Sequence, residues 1–143
     1  MGFRTALFLA VGSLMSLPAT GCASGRSSQE QWANARASAP AGARIYQREC
    51  ASCHGEQGEG SRGVPEVVGP DALPTQRAGR PPFATALDLY GYVSKTMPLP
   101  AKRAGTLNSN EYWALVELML RARGAELSDE GLNHQNASGV PIN

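Results

Sequence analysis

Cys50-Ala51-Ser52-Cys53-His54 sets two thiols three residues apart, with an imidazole directly after the second. On a helical turn such thiols share a side, where each can add to one vinyl group of a porphyrin. The histidine that follows is then placed beneath the iron as an axial ligand. The spacing therefore reads as covalent attachment of one haem c by Cys50, Cys53 and His54. A bare C-x-x-C is also compatible with a thioredoxin-like redox pair or half a zinc site. The redox pair requires a βαβ context, and none precedes the motif. Zinc would need two further ligands, and Cys22 and His134 are the only other Cys and His in the chain.

A haem that relays electrons takes a second axial ligand, Met or His in most cases. Downstream of the motif stand Met97, Met119 and His134. Met97 lies in Lys95-Thr96-Met97-Pro98, just past a predicted helix. Pro98 restricts Met97 to extended backbone, which suits a loop residue pointing inward. Met119 falls within an apolar helical stretch and reads as core filler. His134 falls in a polar tail and reads as solvent-exposed. Met97 is the preferred ligand. The alternative is a buried packing Met97 and an open iron position, which would make the domain a haem-based sensor or small-ligand-binding module.

Gly42 and Tyr46 stand eight and four residues before Cys50. With the C-x-x-C-H motif they make residues 40–123 resemble a class I mono-haem cytochrome c. That resemblance implies an all-α, cytochrome c-like fold, with three to four helices and long loops wrapped around one haem. It also implies one-electron transfer rather than an enzyme activity, with Met97-Pro98 as the ligand loop. Val68-Gly69-Pro70-Asp71-Ala72-Leu73 resembles the family segment whose proline carbonyl accepts a hydrogen bond from the axial histidine. Pro70 would then orient His54, although Leu73 stands one place further from the proline than the family pattern has it. An ordinary Gly-Pro turn is the other reading. Leu87–Tyr92, Met97-Pro98, Glu111-Tyr112-Trp113 and the closing Ser138-Gly-Val-Pro-Ile142 resemble cytochrome domains attached to periplasmic dehydrogenases.

Three helices must position these groups. Residues 39–53 lead into the motif. Residues 86–96 follow a Thr85/Asp88 capping pair and place Leu87, Tyr90 or Gly91, and Ser94 on the apolar side. Residues 109–123 have the strongest pattern. Asn108 and Glu111 cap the start, Gly124 stops the end, and Tyr112, Leu115, Leu118 and Met119 share one face. The resemblance implies that the last helix crosses the first near its glycine, where Gly42, lacking a side chain, would let the axes approach closely, with Leu118 in place of the family's frequent aromatic. Residues 55–83 are rich in Gly and Pro and read as a loop over the haem, with one short helix at most.

The first residues read as an address. Arg4, an apolar run from Thr5 to Leu17 and a small-residue zone make a secretory signal, too short to span a bilayer as a helix of about 20 apolar residues does. Ala19-Thr20-Gly21-Cys22 resembles a bacterial lipoprotein signal, in which Cys22 becomes the lipidated first residue. Ordinary cleavage near Ala23 or Ser24 is the other reading. The expected organisation is a signal peptide at 1–21, a lipid-anchored or flexible linker at 22–39, the cytochrome domain at 40–125 and a C-terminal extension at 126–143. Trp32 in the linker either docks on the domain or stays exposed.

The 143 residues carry 13 Lys and Arg against 12 Asp and Glu, a balance that argues against nucleic-acid binding. Arg77, Arg80, Lys95, Lys102 and Arg103 set a basic side near Met97, and Glu49, Glu56, Glu59 and Glu66 an acidic one near the motif. The basic side suits an acidic redox partner, Arg77 or Arg80 suits haem propionates, and ordinary solvated surface charges are the other reading. The expected division of the three cysteines is two for haem and one proposed for lipid, in an exported, periplasmic protein held at a membrane if Cys22 is modified.

Overall fold

The computed structural model describes residues 27–69, 72–73 and 83–142. Five α-helices run in chain order: α1 Ser28–Ser38, α2 Pro40–Glu49, α3 Ala51–His54, α4 Ala86–Thr96 and α5 Ser109–Ala122. Single 3₁₀ turns follow at Ala101–Arg103 and Ala137–Gly139. Among the described residues there is no strand, only isolated bridges between Ser61 and Val64 and between Thr85 and Pro141. The fold is all-α, as the resemblance implies.

The organising element is α5, which packs against α1, α2 and α4. Its start is fixed by Asn108, whose side chain accepts from Glu111 N at 3.1 Å while Glu111 accepts from Asn108 N at 3.0 Å. Its end is fixed by Gly124, whose φ of +84° only glycine adopts freely. Tyr112, Leu115, Leu118 and Met119 are buried on it. α4 begins at a capping box of the same kind between Thr85 and Asp88. Both helices therefore start where local chemistry predicts.

The crossing of α2 and α5 is as close as Gly42 allows. A Cβ built there would lie 2.1 Å from the Ala114 carbonyl oxygen and 2.9 Å from Leu118 Cβ. Leu118 is fully buried, so the crossing is filled without the aromatic.

Four expectations are corrected. The 22–39 linker is helical over most of its described part: α1 starts at Ser27, which forms a capping box with Glu30, and Trp32 and Ala35 are buried. The helix expected over 39–53 is two helices, because Cys50 leaves helical geometry at φ −121°, ψ −35° between α2 and α3. α4 buries Ala86, Leu89 and Val93 rather than Leu87 and Tyr90. The C-terminal extension is part of the body: Ile142 N donates to Ala84 O at 2.9 Å, Ala86 N donates to Val140 O at 2.9 Å, and Ala137 and Ile142 are buried. The described part of the 55–83 loop contains turns and no helix.

Among the described residues no helix is long and apolar enough to cross a membrane. The signal peptide at 1–21 and Cys22 lie outside the described residues.

Candidate haem site

A cavity of about 310 Å³ lies between the motif, the loop after it, α4 and α5. Cys50, Cys53 and His54 line it from one set of elements, and Met97 from the end of α4. The rest of the lining is mostly apolar, with Tyr46, Val67, Leu73, Leu89, Val93, Leu115 and Met119 among it. Ser52, Cys53, Gly63, Leu99 and Arg103 are lining residues that also reach solvent. An apolar chamber with one wet edge suits a flat, largely apolar ring.

The two cysteines differ in setting. Burial first, then the charges of Glu49 and Cys53, pushes the Cys50 thiol up to about 11. A thiol held neutral at physiological pH is unlike the low-pKa thiolate of a redox pair. Cys53 is exposed at the mouth.

His54 is oriented by Pro65. Its Nδ1 lies 2.9 Å from the Pro65 carbonyl oxygen. A carbonyl only accepts, so Nδ1 carries the hydrogen and Nε2 keeps its lone pair for a metal. Among the described residues the acceptor at this nitrogen is Pro65, where Pro70 was expected. Pro70 itself lies outside the described residues. The chain reaches His54 five residues earlier than expected because Gly58, Gly60 and Gly63, all at positive φ, fold it back. Gly58 O accepts from Val67 N at 2.8 Å and Val68 N at 3.0 Å, which fixes the stretch just after Pro65. Leu73 is buried and lines the cavity.

The carbonyls that leave the motif are held one after another. Cys53 O accepts from Ser61 Oγ at 3.2 Å, and His54 O from Gly60 N at 2.7 Å. Gly55 O accepts from Tyr46 Oη at 2.8 Å, and Glu56 O from Trp32 Nε1 at 3.1 Å. Burial, followed by the charges of Cys50 and Glu59, raises the Tyr46 pKa well above the ordinary tyrosine value, so the phenol stays a donor.

Met97 is the residue after α4 and is extended, with φ −124° and ψ 157°, as a residue before proline should be. Its carbonyl accepts from Tyr112 Oη at 2.8 Å. Met119 also lines the cavity but sits within α5, 6% exposed. His134 is exposed outside the cavity, its ring edge on Tyr90 and Trp113 at centroid distances of 4.8 and 5.0 Å.

The charges near the mouth are engaged within the molecule. Arg103 pairs with Glu49, Arg48 lies 2.6 Å from Glu49 and 3.0 Å from Glu111, and Arg103 and Glu49 line the cavity. Arg103, expected on a docking side, thus ties the segment after Met97 to the end of α2. The hydrogen bond from Arg48, with the Arg103 contact beside it, holds the Glu49 carboxyl below the usual carboxylate range. Lys95 and Lys102 are exposed. Arg77 and Arg80 lie outside the described residues.

A family model described as "Cytochrome C oxidase, cbb3-type, subunit III" matches residues 37–119. The chain belongs to this family. Membership in this cytochrome family implies a covalently bound haem c and haem-based electron transfer, an electron carrier rather than an enzyme. The match spans α2 to most of α5 and leaves nearly all of α1 and the packed C-terminal tail outside it. No curated protein and no solved structure matches the chain. The residues present fit the group: two thiols and an imidazole with a free Nε2 face one apolar cavity, with a thioether on another wall. When bound, a haem supplies an iron that gains and loses one electron.

Pro65 was not expected at the site, and of the two readings for Trp32 the structure shows docking. Pro65 had no signal beyond being a proline after the motif. Trp32 had one, the Ser27-x-x-Glu30 capping box that places it on a helix.

Proposed function

We propose that this chain is an exported mono-haem carrier that passes single electrons between redox partners outside the cytoplasm, with His54 and Met97 as axial ligands. The observation that carries the reading is that Cys50, Cys53, His54 and Met97 line one cavity. Met97 is favoured over Met119 because it sits on an extended loop residue whose carbonyl Tyr112 ties down. A thioether favours reduced iron and raises the potential relative to two imidazoles. Potentiometric titration should give a one-electron couple, and the reduced protein should not bind carbon monoxide. Rapid carbon monoxide binding by the unaltered protein would mean an open iron position and a sensor or ligand-binding role instead.

The resemblance to dehydrogenase-attached domains supports a periplasmic dehydrogenase as donor, and the description of the matched family supports a terminal oxidase as acceptor. Co-purification from solubilised membranes separates the two. Cys22 is the proposed lipid attachment point. Each acyl CH₂ buried contributes about 0.8 kcal/mol, so two or more chains would hold the protein stably. Because α1 is capped at Ser27, the link from Cys22 is short. It reaches at most about 18 Å, which keeps the body close to the membrane plane. Mass spectrometry of the mature N-terminus tests this: an unmodified end beyond Cys22 removes the anchor.

A further inference from the structure

We propose that α1 is a positioning element of the haem site, acting through the indole N–H of Trp32. The inference rests on His54 being the iron ligand. α1 lies almost wholly before the family-matched region. It buries only Trp32 and Ala35 along its length. Trp32 is therefore its main anchor, at 4% exposure. That anchor lands beside the chemistry. Its ring meets Tyr46 edge to face at 4.9 Å, and its N–H donates to Glu56 O, two residues past His54.

Glu56 O and Gly55 O are held by Trp32 and Tyr46 from two different helices. Between them these donors fix where the turn 55–60 begins. The turn then returns its own bonds to the site: Gly60 N donates to His54 O, and Gly58 O holds Val67 and Val68. Those contacts set the stretch that delivers the Pro65 carbonyl to His54 Nδ1. A carbonyl acceptor fixes the ring plane and basicity of a ligating histidine. Trp32 is thus a positioning residue two steps removed from the iron, and its indole nitrogen matters separately from its bulk.

The test is Trp32→Phe in the haem-loaded protein, which keeps an aromatic ring and removes the donor. NMR of the reduced form reads solvent exchange of the His54 Nδ1 hydrogen, and the oxidised form reads the haem-methyl shift pattern. The expected result is exchange accelerated by about tenfold or more as the turn opens locally, together with an altered methyl pattern. Tyr46→Phe removes the companion donor and should give the same signature. It carries the test if Trp32→Phe does not accumulate. Exchange and methyl shifts that stay at wild-type values in these variants, even with a lower unfolding midpoint, would reduce Trp32 to packing and overturn the proposal. Failure of the underlying reading looks different: wild-type protein would then lack any haem-shifted His54 resonance.

Discussion

Among the described residues two glycines sit inside α-helices, Gly42 and Gly91, and alanine at each should act in opposite directions. At Gly42 the new methyl would lie 2.1 Å from Ala114 O, 2.9 Å from Ala114 C and 2.9 Å from Leu118 Cβ. Two of those three atoms are backbone, so no side chain can rotate away. α2 and α5 would have to part by roughly 1 Å, in a core where overpacking costs about 1–3 kcal/mol. The clash involves backbone, so the cost should fall at or above the top of that range. Against it stands about 1 kcal/mol of helix propensity gained by alanine. The net expectation is a loss of about 2 kcal/mol, which lowers Tm by roughly 8–12 °C in a domain of this size. At Gly91, within α4, a Cβ meets nothing within 4 Å and the backbone is ordinary helix. There only the propensity gain remains, so Gly91→Ala should raise stability by up to about 1 kcal/mol. Thermal unfolding followed by far-ultraviolet circular dichroism reads both variants. Equal or greater stability of Gly42→Ala, or a destabilised Gly91→Ala, would refute the close-crossing geometry.

Covalent attachment predicts that haem stays with the wild-type chain through denaturing electrophoresis. The double variant Cys50→Ala/Cys53→Ala should retain none, and retention would show another attachment point. The Glu49 carboxyl is held below its ordinary range, so its contribution to stability is present above that range and is lost as pH falls through the lowered value. Glu49→Gln should therefore lower the unfolding midpoint at neutral pH by a few degrees, since its partners Arg48 and Arg103 are half exposed. The gap should close in acid, and a gap that persists there would point to packing rather than charge.

The starts of α4 and α5 were legible because capping is local: Thr85 with Asp88 and Asn108 with Glu111 need no distant partner. The same signal marks Ser27 and Glu30, yet α1 buries nothing beyond Trp32 and Ala35. What stabilises it is distant, the α5 helix it packs on and the Tyr46 ring and Glu56 carbonyl that Trp32 meets, which no local pattern reveals. The inward side of α4 was ambiguous because Ala-Leu-Asp-Leu-Tyr-Gly-Tyr-Val is apolar on two faces. Leu89 and Val93 line the cavity, while Tyr90 stacks on Trp113 at 3.9 Å. The thiols, His54 and Met97 were readable because their chemistry fixes their spacing or their neighbours. Pro65 was not. Its role depends on three positive-φ glycines folding the loop, and Pro70 offered a closer likeness to the family segment.

The central claim is that one haem c is held between His54 and Met97. The most direct measurement is the absorption spectrum of the oxidised protein beside that of Met97→Ala. The account predicts the weak far-red band of methionine–iron ligation in the wild type, its loss in Met97→Ala, and new carbon monoxide binding by the reduced variant. A Met97→Ala spectrum identical to wild type, band included, would contradict it.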